Sequence, residues 1–163
     1  MAKITKIGYG QVEPNHLSAQ RTGQIYAQLP AEESIEVLEN GQFVKYDYAN
    51  GEVNFDGEGE FMLVLNEVKL YNERETYKDF AMKKANYVGG VIVPRVFKTN
   101  VGDIYTTNMV DSEIDMIEGT TELAPGEDGV LTTAGDSAEM IWKVVKVYTM
   151  ADGQAAVKLQ RIK

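Results

Sequence analysis

Residues 61–65, Phe61-Met62-Leu63-Val64-Leu65, form an apolar run with no polar interruption. A strand with one face in water alternates apolar with polar residues, whereas an unbroken apolar run is typical of a strand buried on both faces. The sequence therefore predicts that this segment is a buried strand of a β-rich domain.

Turn signals on both sides of this run divide the chain into short strands. Asn40-Gly41 and Asn50-Gly51 each predict a hairpin, because both residue types tolerate positive φ. Residues 140–149 are β-branched and aromatic, and a turn at Ala151-Asp152-Gly153 leads to an alternating segment, 155–160, so a terminal hairpin is expected. Strands at roughly ten-residue spacing predict a mainly β fold, a single β-barrel or β-sandwich.

Three segments interrupt this pattern. Residues 72–84 predict one short helix, with Asn72 as its N-cap and Glu75 at the capping-box position. Pro94 lies inside a β-rich stretch and predicts an edge strand or a bulge, since proline cannot donate to a ladder. Residues 111–137 are acidic and rich in glycine, and are expected to be mostly loop.

The first 33 residues lack sustained periodicity, so we predict an extended N-terminal arm over 1–33 and a globular domain over 34–163. Residues 24–29 alternate polar with apolar and predict a strand that docks on a neighbouring sheet. Deleting residues 2–30 is expected to leave the body folded and to weaken partner binding. The predicted partner-binding residues here are Arg21, Gln24, Ile25, Tyr26 and Leu29.

Composition limits the function. The 163 residues suit one domain and include no cysteine, which excludes disulfides, thiolate zinc sites and a cysteine nucleophile. The formal charge of −9 disfavours binding to nucleic acid. No apolar stretch is long enough for a signal peptide or a membrane span, so we expect a soluble protein made in the cytoplasm without export.

The sequence offers few parts for catalysis. His16 is the only histidine, and no phosphate loop, dinucleotide fingerprint or nucleophile elbow is present. We therefore expect no enzyme activity, no cofactor and no metal. Two acidic clusters, 56–60 and Asp111/Glu113/Asp115, leave a solvated surface, a cation, a basic partner and a carboxylate-only hydrolase as alternatives. The solvated surface is the favoured interpretation.

Aromatic residues give two further predictions. Trp142, flanked by Ile141 and Val144, is expected in the core. Tyr46 and Tyr48 alternate with polar residues and are predicted either as a binding face, because tyrosine is enriched at interfaces, or as a core face with hydroxyls at the rim.

Three stretches carry a family resemblance: "VLENGQFVKYDYANGEV" (37–53), "GEFMLVLNEVKLYN" (59–72) and "VPRVFKTNVGDIYTTN" (93–108). Together, over roughly residues 35–110, they resemble the small β-rich head proteins of tailed bacteriophages, the decoration (cement) and other auxiliary capsid proteins. The shared features are an Asn-Gly start, an apolar strand that runs into Asn-Glu, and a Gly-Asp turn before a Thr-rich strand.

The resemblance implies a non-enzymatic structural virion protein. Such proteins bind the outside of the capsid lattice, contact the major capsid protein and stabilise the head, often as trimers. It also implies an arm that becomes ordered on the capsid, and a location on the virion surface. The alternative from the residues themselves is a carbohydrate- or receptor-binding β-sandwich, suggested by Tyr46 and Tyr48.

Overall fold

The apolar run 61–65 lies largely in a central strand of a mainly β protein. The structure, a computed structural model, describes residues 2–17, 25–66, 81–151 and 153–163. The strands in these ranges are β1 Ala2–Lys3, β2 Val12–His16, β3 Ile25–Gln28, β4 Val37–Glu39, β5 Phe43–Asp47, β6 Glu52–Asn54, β7 Glu58–Val64, β8 Ala81–Lys83, β9 Arg95–Phe97, β10 Ile104–Thr107, β11 Asp115–Met116, β12 Glu122–Pro125, β13 Leu131–Thr133, β14 Trp142–Thr149 and β15 Ala155–Arg161.

These strands form two larger sheets and two small ones, with every pair of neighbouring strands antiparallel. The six-stranded sheet has the order β13-β12-β14-β15-β10-β2, and the five-stranded sheet has the order β3-β9-β7-β5-β6. Strands β1 and β11 form one two-stranded ribbon, and β4 and β8 form the other. The predicted mainly β class is confirmed, with a layered arrangement compatible with a β-sandwich or barrel domain.

The five-stranded sheet is buried on both of its faces. On β7, Leu63 belongs to one hydrophobic core, whereas Met62 and Val64 belong to a second. The same alternation occurs on β5, where Phe43 enters the first core and Val44 the second. Because successive side chains of a strand point to opposite faces, the prediction of a doubly buried strand is confirmed.

The first core lies between the two larger sheets. Trp142 on β14 and Tyr105 on β10 are both fully buried there, and their rings meet edge to face with centroids 4.8 Å apart. The predicted terminal hairpin is confirmed, since β14 pairs with β15 from Trp142↔Arg161 to Thr149↔Ala155. The core position predicted for Trp142 is confirmed as well.

The described residues before position 34 include strands β1, β2 and β3, each of which pairs with a later strand of the chain. Strand β1 pairs with β11, and β2 pairs with β10 at the edge of the six-stranded sheet. Ile4 is fully buried and Leu17 is 3% exposed, and both belong to the first core. The Lys6 ammonium lies 2.6 Å from the Glu39 carboxylate, which also accepts a hydrogen bond from the Gly10 amide. Residues 2–17 therefore contribute to the packing of the body.

The predicted helix over residues 72–84 is wrong at its C-terminal end. Residues 72–80 lie outside the described ranges, but Ala81–Lys83 is strand β8, paired with β4. In the described residues that follow β8, helical structure begins at Lys84, as two short 3-10 turns, Lys84–Asn86 and Val88–Gly90. Tertiary pairing with Val37–Glu39 outweighs the helical spacing of this segment.

Of the two predicted Asn-Gly hairpins, one is wrong and one is confirmed. Asn40-Gly41 is a turn, but it does not close a hairpin, because β4 pairs with β8 while β5 belongs to the five-stranded sheet. Asn50-Gly51 does close the β5–β6 hairpin, in which Asp47 faces Glu52. There Gly51 alone has positive φ, 69°, because Asp47 caps the loop by accepting hydrogen bonds from the Ala49 and Asn50 amides.

The expectation of an edge strand at Pro94 is wrong, because Pro94 lies just before β9, and β9 is an interior strand between β3 and β7. The β3–β9 pairing does contain a register shift, but it lies between Ile25 and Ala27 and not at Pro94. Residues 111–137 are mostly loop, as expected, and contain only the three short strands β11, β12 and β13. Among the described residues, no helix is long and apolar enough to cross a membrane.

Candidate functional site

The predicted docking strand exists, and its pairing partner lies in the same chain. Strand β3, Ile25–Gln28, pairs with β9 at the edge of the five-stranded sheet, with a register shift at Tyr26. Arg21 and Gln24 lie outside the described residues. Leu29 is half-buried and packs against the second core. Among the described strands, β3 pairs only with β9, so it forms an edge of this chain's own five-stranded sheet.

His16 lies at the end of β2, where its backbone pairs with Ile104 of β10. Its neighbour Asn15 accepts a hydrogen bond from the Thr106 hydroxyl, at 2.7 Å. The histidine is thus part of an edge strand of the six-stranded sheet and not of a separate extended segment.

Tyr46 and Tyr48 form a stacked pair at the end of β5. Their ring centroids are 4.4 Å apart and the rings are inclined by 21°. Tyr46 is half-buried and packs against the second core, whereas Tyr48 is 56% exposed. The structure thus combines the two predicted alternatives, since one tyrosine supports the core and the other presents an aromatic surface.

Next to this pair, a concave acidic surface opens between the β5–β6 hairpin and the start of β7. It encloses about 450 Å³ and is lined by Glu32, Asp47, Asn50, Glu52, Asn54, Asp56, Gly57 and Glu58. Hydrogen bonds from the backbone and side chain of Asn50 hold the pKa of Asp47 below its ordinary value, so this carboxylate stays charged. Asn54 is only 7% exposed, and its Oδ1 has no hydrogen-bond partner.

The concave surface continues over an apolar floor. A second cavity of about 700 Å³ shares Glu32 and Asp56 with the first, and adds Phe55, Phe61 and Pro125. A third, of about 570 Å³, shares Gly126 and Glu127 with the second. We call the three together the acidic trough, and its carboxylates are Glu32, Asp47, Glu52, Asp56, Glu58, Asp111, Glu127 and Asp128.

The trough carboxylates differ from those elsewhere on the surface. Several surface carboxylates pair with lysine, in the pairs Lys3–Glu113, Lys6–Glu39, Lys45–Glu139, Lys84–Glu36 and Lys98–Glu60. Within the part of the chain that the structure describes, no such pair includes a trough carboxylate, and Lys45 lies beside the trough with its ammonium 4.4 Å from the centroid of the Phe61 ring. The trough is therefore a concentrated negative surface.

The structure places the carboxylates of each predicted acidic cluster in different surroundings. In the first, Asp56 and Glu58 line the trough, whereas Glu60 lies 3.4 Å from Lys98. The second was expected on one face of an extended strand, but residues 111–114 form a turn and only Asp115 lies in a strand. Glu113 instead approaches Lys3 at 3.8 Å across the β1–β11 ribbon. Asp111 lines the far end of the trough.

A second surface is apolar and was not predicted as a binding site. Residues 87–93, which we call the apolar loop, follow the first 3-10 turn and expose four apolar side chains. Val88 is fully exposed, and Tyr87, Val91 and Val93 are each about two-fifths exposed, at 39%, 45% and 43%. Ile92 is 2% exposed and anchors the loop in the second core. The run of apolar residues at 87–93 was the available signal in the sequence.

Within the described ranges, no three histidine, aspartate or glutamate side chains are arranged to hold a metal ion. The trough thus offers charge, two phenylalanine rings and hydrogen-bond acceptors, and the apolar loop offers exposed hydrophobic area. Both are features of surfaces that bind other molecules. No protein-family model, no curated protein and no solved structure matches this chain.

Proposed function

We propose that this chain is a structural virion protein that binds the outer surface of a phage capsid lattice and stabilises the head. The structural observation that supports this proposal is the apolar loop. Contiguous exposed apolar residues mark protein–protein contact sites, and here Val88 presents its whole side chain to solvent from a loop anchored by Ile92. The partner in this proposal is the major capsid protein.

The rest of the molecule suits the same role. Two hydrophobic cores on either side of one sheet form a rigid scaffold that holds the loop in place. The formal charge of −9 keeps an outward-facing protein from binding DNA. Many copies on one lattice gain affinity by multivalency, even where a single contact is weak, and a trimer supplies three such contacts.

Co-sedimentation with purified capsids tests the proposal. Wild-type protein is expected in the capsid pellet, and Val88→Asp is expected to lower the affinity roughly tenfold, about 1.4 kcal/mol, because it places a charge in an apolar contact. Val101→Asp is the matched control, since Val101 is 67% exposed in a turn outside the apolar loop. Absence of the wild-type protein from both the capsid pellet and the virion proteome would refute the proposal.

The second candidate is a carbohydrate- or receptor-binding module, which the stacked Tyr46–Tyr48 pair favours. An exposed tyrosine ring supported by a second ring offers an aromatic platform against which a sugar packs. A glycan array is the direct test, with Tyr48→Ala expected to abolish any signal. An array without hits for the wild-type protein removes this candidate.

A further inference from the structure

Residues 91–93, at the end of the apolar loop, have the features of a strand, yet they belong to no strand among the described residues. Valine and isoleucine are β-branched and favour extended backbone, and Val91 is extended, with φ −110° and ψ 118°. Burial alternates along the segment, since Ile92 is 2% exposed whereas Val91 and Val93 are 45% and 43% exposed. One face of the segment therefore packs on the second core, and the other faces solvent.

One edge of segment 91–93 is paired and the other is open. The Ala31 amide donates to Ile92 O at 2.8 Å. Successive residues of an extended chain direct their main-chain groups to opposite edges, so Val91 and Val93 direct theirs away from Ala31. Within the residues that the structure describes, no hydrogen bond engages the N–H or C=O of Val91 or Val93. We call these four groups the open edge.

The open edge is a template for an added strand, because unpaired main-chain groups of an extended segment pair readily with another chain. Two residues of an antiparallel strand satisfy all four groups. In strand addition, main-chain hydrogen bonds supply affinity and side chains at alternate positions supply specificity. The conflict between the β propensity of segment 91–93 and its lack of a partner strand points to a site that another chain completes.

The chemistry of the apolar loop specifies an uncharged, apolar strand. Residues 87–93 contain no charged side chain. Lys84, which packs beside Gly90, is already engaged, because its ammonium donates to Glu33 O at 2.7 Å and lies 3.6 Å from Glu36. An added strand would set its outward side chains beside Val91 and Val93, and apolar residues at alternate positions match them.

The area of the apolar loop decides between an added strand and a second copy of this chain. Exposed apolar patches of this kind measure on the order of a few hundred Å². A stable protein–protein interface buries about 800 Å² on each partner. The loop alone is too small for a face-to-face dimer, whereas a bound strand adds main-chain hydrogen bonds to the same apolar contact.

From these observations we infer that the open edge takes one extended strand of the major capsid protein, with apolar residues at every second position. The inference rests on the proposed function and adds the mode of recognition. Val88 makes an apolar contact, and the open edge makes main-chain hydrogen bonds.

Amide hydrogen exchange in the free protein, followed by NMR, tests whether the edge is open. We expect the amides of Val91 and Val93 to exchange within about tenfold of the rate of an unfolded peptide, since they have no partner. The amides of Ala31 and Val53 are the matched controls, because they donate to Ile92 O and Pro30 O at 2.8 and 2.9 Å. These controls should exchange roughly a hundredfold more slowly than Val91 and Val93.

Overlapping ten-residue peptides that span the major capsid protein identify the strand. We expect the peptides that bind to have apolar residues at alternate positions, and to slow exchange of the Val91 and Val93 amides roughly tenfold at saturation. N-methylation of a peptide residue whose amide faces the open edge should raise the Kd roughly tenfold, whereas N-methylation of the next residue should change it by less than about threefold. A contact made by side chains alone would not show this alternation.

Three outcomes would overturn the inference. Slow exchange of Val91 and Val93 in the dilute free protein would show that the edge is already paired within the chain. Protection that appears only as the free protein is concentrated would identify a second copy of this chain as the occupant. Capsid binding without any bound peptide, or with peptides that show no alternating effect of N-methylation, would leave a side-chain contact alone.

The capsid assay separates this failure from failure of the proposed function. If the strand is refuted but Val88→Asp still weakens co-sedimentation, the proposed function stands and only the mode of recognition is wrong. If the wild-type protein is absent from the capsid pellet and the virion, the proposed function and this partner are both refuted, whatever the exchange rates in the free protein.

Discussion

Replacing Ile4 with alanine tests whether the first residues belong to the folded body. Ile4 is fully buried in the first core, directly after β1, so its truncation leaves a cavity among packed side chains. Isoleucine-to-alanine changes at such sites cost about 2–5 kcal/mol. For a protein of this size, about 2–4 °C is lost per kcal/mol, so Tm should fall by roughly 4–20 °C.

The matched control lies three positions along the same segment. Ile7 is 75% exposed, and its amide, which donates to Gln154 Oε1 at 2.7 Å, is unchanged by alanine. Ile7→Ala is therefore expected to stay within about 0.5 kcal/mol of the wild type. Urea unfolding followed by tryptophan fluorescence measures both variants, since Trp142 lies in the same core as Ile4.

The result also decides between two views of residues 1–33. A dispensable arm predicts that Ile4→Ala and Ile7→Ala are equally harmless, and that the body survives deletion of residues 2–30. The packing of Ile4 and Leu17 predicts a large loss for Ile4→Ala alone. If the two variants unfold at the same urea concentration, the reasoning from burial is refuted, and the arm stays the better description.

Three further predictions concern the core and the aromatic surface. Gly129→Ala should destabilise the protein by several kcal/mol, because a Cβ at this position, where φ is 74°, would overlap the Phe43 backbone. Gly119→Ala is the control: its φ is 71° but its Cβ would meet open space, so it should lower the free energy of unfolding in urea by only about 1 kcal/mol. Tyr105→Phe should leave stability unchanged or raise it, because it removes a buried hydroxyl that has no partner. Burial raises the pKa of Tyr105 well above its ordinary value. The free energy of unfolding should therefore keep its full value below about pH 10, as far as Tyr105 is concerned, and should fall as the pH rises further. An ultraviolet titration of the folded protein should show that Tyr105 resists ionisation. Tyr48→Ala should cost about 0.5–1.5 kcal/mol in thermal unfolding, through loss of its stacked partner.

Local patterns in the sequence predicted the elements whose structure is local. The apolar run in β7 and the β14–β15 hairpin follow from periodicity and turn chemistry within a few residues. The segment Ala81–Lys83 was mispredicted because it becomes a strand only through pairing with β4, more than forty positions earlier. Strands β11, β12 and β13 are two to four residues long, too short for a periodic signal.

The acidic trough could not have been predicted from the sequence for the same reason. Asp56 and Glu58 stand out as a cluster, but Glu32, Asp111 and Glu127 come from distant positions and meet only after the sheets have packed. The exposed state of Tyr48, next to the half-buried Tyr46, likewise depends on which layer covers the end of β5. Composition predicted a negative protein, and the fold determines where that charge is concentrated.

The two candidate surfaces share one structural support, and this affects how variants should be chosen. The Ala31 amide donates to Ile92 O at 2.8 Å, at the base of the apolar loop, while the Val53 amide donates to Pro30 O at 2.9 Å, in the hairpin beside the trough. A substitution within 30–32 that disturbs this backbone would move both surfaces together. If such a variant lost binding, the loss could come either from a missing contact with the partner or from a displaced surface. This ambiguity does not affect Val88 in the apolar loop or Asp56 in the trough, because both side chains are exposed. Binding effects at these two positions can therefore be assigned to contact itself.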